Sequence, residues 1–140
     1  MTEFRPFEQR VQLAVGAALE RDPQAVLHEV TMHSDYQFVY CVFSGKNGET
    51  INVKVDQDNE VYVRTNSWPW VALPIEWPSG MNYSEARNLF DEAFPRTAWS
   101  TVVLRKSRQE PNLGQEYVFT IAEGYVVVDI PTREAYLLKR

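Results

Sequence analysis

The chain has 140 residues, a hydrophobic fraction of 44% with 13% aromatics, and a formal net charge of −5. That apolar content can offset chain entropy and excludes a disordered chain, while the acidic balance argues against nucleic acid, because phosphate binding relies on clustered Lys and Arg. Cys41 is the single cysteine, so no intrachain disulfide forms; the N-terminus lacks the basic start and apolar core of a secretory signal, and no apolar run approaches the roughly 20 residues that cross a bilayer, so a cytoplasmic protein without membrane association is expected.

Phe4, Phe7, Val11, Ala14, Val15 and Ala18 recur at helical spacing and predict an amphipathic helix. Pro6 suits its first turn, where a missing N–H costs nothing. Asp22-Pro23 ends it, because a residue before proline is pushed out of the α region. Strand-like runs follow at residues 26–34, 37–44, 49–56 and 60–65. Asp35-Tyr36 separates the first two and Gly45-Lys46-Asn47-Gly48 the next pair. In the third run Ile51, Val53 and Val55 alternate with Asn52, Lys54 and Asp56, the signature of a half-buried strand. In the fourth, Val61 and Val63 are expected to point inward.

Residues 66–81 carry three of the four tryptophans and three of the eight prolines. The prolines fix their own backbone and lack donors, which leaves little scope for regular structure. Asn82 then offers an N-cap, with Glu85 three residues on. Ala86, Leu89, Phe90, Ala93 and Phe94 form a second apolar stripe, and Pro95 stops the helix. Strand-like runs return at residues 99–106, 116–122, 125–130 and 134–139.

The order of these elements predicts an α+β fold of two tandem helix-plus-antiparallel-sheet repeats. The first module spans residues 1–65, a Trp/Pro-rich linker residues 66–81, and the second module residues 82–140. Each module has about 60 residues, near the lower limit for independent stability. The halves are therefore expected to pack together or to form a homodimer, with sheets that can be continuous across either seam.

The second half resembles the PepSY domain family. The resemblance rests on the helix opening Tyr83-Ser84-Glu85-Ala86-Arg87 and on the closing strand-turn-strand from Val126 through Asp129 and Thr132 to Glu134, Tyr136 and Leu137. Arg133 stands where glycine is usual. The first half places Asp56, Asn59, Glu60 and Val61 in the corresponding positions. The tandem layout is also similar to that of the β-lactamase inhibitor protein family. The PepSY resemblance implies a non-catalytic α+β module associated with peptidase propeptides and peptidase inhibition; the second likeness is of layout only, and neither lends catalytic residues.

Nucleophilic catalysis needs a nucleophile beside a base. A two-residue turn at Asp35-Tyr36 would set Cys41 opposite Val30, with His28 a diagonal neighbour on the same face, although one residue of slip would separate them. An apolar run around Cys41 favours a structural thiol. Two histidines and one cysteine make no zinc motif. The run Asp56-Gln57-Asp58-Asn59-Glu60 lacks the glycine and distal Glu of a calcium loop, and reads as a polar turn. No catalytic, cofactor or metal residues are therefore assigned.

Trp68, Trp70 and Trp77 are the partner-binding candidates, since tryptophan is enriched at binding hot spots and a proline-set backbone lowers the ordering cost of binding. The competing expectation is that these indoles fold back over the seam between the modules. The sequence thus favours a non-enzymatic protein-binding module of inhibitor or immunity type, using the linker or an exposed sheet face. The alternative is a small-ligand carrier or sensor with an aromatic pocket lined by Phe38, Tyr40, Tyr117 and Phe119. An enzyme using Cys41 or a carboxylate pair ranks last.

Overall fold

The computed structural model describes residues 5–69, 72–107 and 114–139. Helix α1 (Arg5–Arg21) buries Phe7, Val11, Ala14 and Ala18 on one stripe. Its end is tied down by Asp22, whose backbone N–H donates to the Ala18 carbonyl at 2.8 Å. The Asp22 carboxylate accepts the N–H groups of Gln24 and Lys46 at 2.9 and 2.8 Å. That pair of bonds holds the helix end against the turn at residues 45–48, and lowers the Asp22 pKa by stabilising its anion.

Strands β1 (Val26–His33), β2 (Phe38–Ser44), β3 (Thr50–Asp56) and β4 (Val61–Asn66) form an antiparallel meander. Helix α2 (Tyr83–Ala93) follows, with the Asn82 side chain accepting the Glu85 N–H at 2.8 Å as the sequence pattern requires. A second meander completes the chain: β5 (Thr101–Lys106), β6 (Gln115–Ile121), β7 (Gly124–Asp129) and β8 (Glu134–Lys139). The α2 stripe is narrower than the sequence implies. Tyr83, Ala86 and Phe90 are buried, Leu89 and Phe94 only partly, and Ala93 is exposed, because the helix ends there against solvent.

The two meanders join in a single eight-stranded sheet of order β4-β3-β2-β1-β5-β6-β7-β8. The central seam is β1 against β5, antiparallel, from Val30↔Leu104 to His33↔Thr101. Both helices cover the same face, since Phe7, Val11, Tyr83 and Phe90 belong to one core with Val39, Val53, Phe119 and Val128. Phe7 stacks on Tyr83 with centroids 5.1 Å apart, and Phe90 on Phe119 at 4.5 Å, geometries that add to simple area burial.

Polar bonds reinforce the seam. The Glu8 carboxylate accepts the Tyr83 N–H at 2.8 Å, and burial raises the Glu8 pKa despite that bond. Arg10 donates to the Tyr36 carbonyl at 2.8 Å, and Arg87 to the Tyr36 hydroxyl at 2.9 Å. Thus α1, α2 and the β1–β2 turn are fastened at one point.

Residues 72–81 of the linker are tied to the sheet by hydrogen bonds. Ile75 donates its N–H to the Leu27 carbonyl at 2.9 Å, Glu76 bonds the Gln115 side chain, and the Tyr117 hydroxyl donates to the Met81 carbonyl at 2.8 Å. These bonds tie the segment leading into α2 to β1 and β6, and Ile75 and Met81 are buried in the core.

The fourth strand departs from expectation. Register places Val61 and Val63 on the helix-facing side opposite Val55 and Val53, yet Val63 is 37% exposed and Val61 half-buried. As an edge strand, β4 lies at the margin of what α1 covers. A groove of about 680 Å³ remains between them, lined by Gln12, Leu13, Gly16, Ala17, Val61 and Val63 among others.

Candidate functional site

With both helices on one side, the opposite sheet face carries no helix among the described residues. Side chains alternate along a strand, so the partners of the core residues all project there. The registers align them into one cross-strand row over all eight strands. It begins with Tyr62, Lys54, Tyr40 and Thr31, and continues through Val103, Val118, Val127 and Tyr136.

The two halves of this row differ in exposure. Val118 and Val127 are 5% and 1% exposed, and beside them Glu116 and Asp129 are buried too. Arg105 donates to Glu116 at 3.2 Å, and the Asp129 carboxylate accepts the N–H and hydroxyl of Thr132 at 3.1 and 2.7 Å. In the first half Tyr40 and Lys54 are half-buried and Tyr62 is 46% exposed. There the face dips into a groove of about 510 Å³ whose walls include Tyr40, Val42, Asn52, Lys54, Tyr62 and Arg64.

The groove's aromatics are held in place. The Lys54 ammonium sits 4.8 Å from the Phe38 ring centroid and 5.2 Å from that of Tyr62, a geometry in which the ring quadrupoles attract the cation. The Tyr62 hydroxyl is shared between the carboxylates of Asp56 and Glu60, at 3.2 Å from each. Those hydrogen bonds, led by that to Glu60, raise the Tyr62 pKa. Tyr40 packs 5.8 Å from Phe38 and edge-on to His33 at 5.9 Å.

The tryptophan candidates separate. Trp68 is 78% exposed just beyond β4, its carbonyl accepting the Thr50 hydroxyl. Trp77 turns inward, 6.4 Å from Phe7, with its indole N–H donating to Gln12 at 3.2 Å. Trp70 lies outside the described residues. The four aromatics suggested for a ligand pocket do not meet. Tyr117 and Phe119 are fully buried in the helix-side core, whereas Phe38 and Tyr40 alternate with buried Val39 and Cys41 and so face the other way.

The Cys41–His28 pair is not assembled either. Val30 does lie opposite Cys41, but the register shifts between Leu27 and Glu29, a bulge that re-aims His28. His28 Nε2 bonds the Ser44 hydroxyl at 2.8 Å. Ser44 is an odd number of residues from Cys41 and hence on the opposite face. Cys41 itself is 1% exposed, and burial pushes its thiol far up from the ordinary value, the reverse of an activated nucleophile. Among the described residues no group of three or more His, Cys, Asp or Glu side chains is placed to hold a metal ion, and no helix is long and apolar enough to cross a membrane.

Comparison with known proteins adds the fold alone. No family model matches the chain, and no curated protein matches it. Among solved structures, the chain is similar to the crystal structure of a "putative lipoprotein" from Clostridium difficile 630. The TM-score is 0.66 at 12% sequence identity, over 89% of this chain and 88% of that one. The two thus share an architecture, at an identity too low to carry function across.

Proposed function

We propose that this chain is a non-enzymatic protein-binding module, of inhibitor or immunity type, that docks its partner on the helix-free face of the sheet. The observation that carries this reading is the first half of the row, Tyr62, Lys54, Tyr40 and Thr31, which neither helix covers and which opens into an aromatic groove, whereas Val118 and Val127 in the other half are buried. Tyrosine supplies large contact area at low ordering cost, which is why it is enriched at interfaces. Trp68, at the same edge strand, extends the contact surface.

The same proposal takes the two halves as PepSY-like repeats. In support, each helix precedes a four-strand meander, and each meander closes on a turn organised by an Asp. Asp56 accepts the N–H groups of Asp58 and Glu60, and Asp129 those described for Thr132. Each turn also has a left-handed residue just before the returning Glu: Asn59 at φ 65° and Arg133 at φ 59°. Arg133 thus occupies the conformation that glycine adopts most easily.

The test is partner capture from the source cells with the tagged chain. Arginine at the half-buried central positions Thr31 and Val103 should abolish capture, and Trp68→Ala should weaken it. A control, Glu20→Arg on α1, should leave it intact. Capture that survives Thr31→Arg/Val103→Arg in a protein of unchanged circular dichroism refutes the sheet-face reading.

A further inference from the structure

The groove over β2–β4 carries charge of the sign opposite to the chain as a whole. The protein is acidic at −5, yet the two ionisable side chains walling this groove with a charge at neutral pH are Lys54 and Arg64. They are diagonal neighbours on the same face, since Asn52 pairs with Arg64 and Lys54 with Tyr62. Among the described residues neither is in an ion pair with a carboxylate. Carboxylates flank the groove without walling it: Asp56 and Glu60 accept from the Tyr62 hydroxyl, and Glu29 stands in the cross-strand row Glu29–Val42–Asn52–Arg64.

Resting on the protein-binding reading above, we infer that this groove takes an acidic segment of a partner protein. Partner carboxylates pair with Lys54 and Arg64, and apolar partner side chains lie on Tyr40, Val42 and Tyr62. Two physical features favour this occupant. Lys54 is already ordered between the rings of Phe38 and Tyr62, so little rotamer entropy remains to be lost when a carboxylate arrives. Arg64 presents a planar fork suited to bidentate carboxylate binding.

The experiment uses the full chain, ¹⁵N-labelled, titrated with three ten-residue peptides in which Val and Tyr alternate with Glu, Gln or Lys. The Glu peptide should shift amides confined to β2, β3 and β4, and should bind at least ~10-fold more tightly than the Gln peptide at low salt, with the preference shrinking as salt rises. Lys54→Gln/Arg64→Gln, at one half-buried and one exposed position, should erase that preference while leaving the rest of the spectrum unchanged. No shifts with the Glu peptide at millimolar concentration, equal binding of the Gln or Lys peptide, or tighter binding of a single-stranded oligothymidine would overturn the inference. Failure of this step is separable from failure of the broader reading. Partner capture lost with Thr31→Arg/Val103→Arg but indifferent to Lys54→Gln/Arg64→Gln sinks the acidic segment alone.

Discussion

Replacing Phe7 by alanine measures how far the two halves fold as one unit. Phe7 belongs to the first helix, yet its ring partners among the described residues all come from beyond residue 66: Tyr83 at 5.1 Å, Tyr117 at 6.1 Å and Trp77 at 6.4 Å. The side chain is 1% exposed. Removing a buried Phe ring costs about 3–5 kcal/mol when the cavity stays open. Here the walls have little freedom to collapse, because Tyr117 is bonded to the Met81 carbonyl and Tyr83 to Glu8. The expected loss is therefore about 4 kcal/mol, a large fraction of the ~5–15 kcal/mol that stabilises an ordinary domain. Guanidinium unfolding followed by tryptophan fluorescence and by far-ultraviolet circular dichroism should give one shared transition, displaced to lower denaturant by that amount. A loss under ~1.5 kcal/mol, or two separated transitions in the variant, would refute the single-core argument.

Other consequences are open to measurement. Gly16 lies inside α1 with nothing within 4 Å of an added methyl group, and Gly48 has equal space but a φ of +84°. Gly16→Ala should therefore stabilise by up to about 1 kcal/mol and Gly48→Ala destabilise by about 1–2 kcal/mol, read as opposite shifts in thermal midpoint. Asp56 has its pKa lowered chiefly by the Glu60 N–H, so its contribution is present above the ordinary aspartate value of about 4 and is lost as pH falls through the folded value. Asp56→Asn should be less stable than the parent at neutral pH, with a gap that closes on acidification; a pH-independent gap would show that the carboxylate's charge is not what matters. The Cys41 thiol should resist a disulfide reagent at neutral pH in the native state and react fully once unfolded. Fast native-state labelling would revive a reactive-thiol role.

Much of the local structure is legible in the residues themselves. The i, i+3, i+4 spacing of Phe7, Val11, Ala14 and Ala18 specifies a helix and its buried stripe, because 3.6 residues per turn leave no other face for them. The alternation of Ile51, Val53 and Val55 with Asn52 and Lys54 specifies a strand and its core side. Asn82 announces α2 through a bond made within one turn. Each of these signals is local, so no partner from elsewhere in the chain is needed to read it.

What the tertiary structure alone decided is non-local. The β1–β5 seam brings residues some 70 positions apart into register, and no pattern within either strand encodes that choice. The bulge at His28, the half-covered Val63 and the inward turn of Trp77 beside an exposed Trp68 likewise follow from neighbours rather than from spacing. Most of all, the aromatic alternation of Phe38 and Tyr40 is indistinguishable in sequence from that of Tyr117 and Phe119. One pair lines an open face and the other fills the core, because period two fixes that side chains alternate but leaves it to the packing of the helices which set is covered.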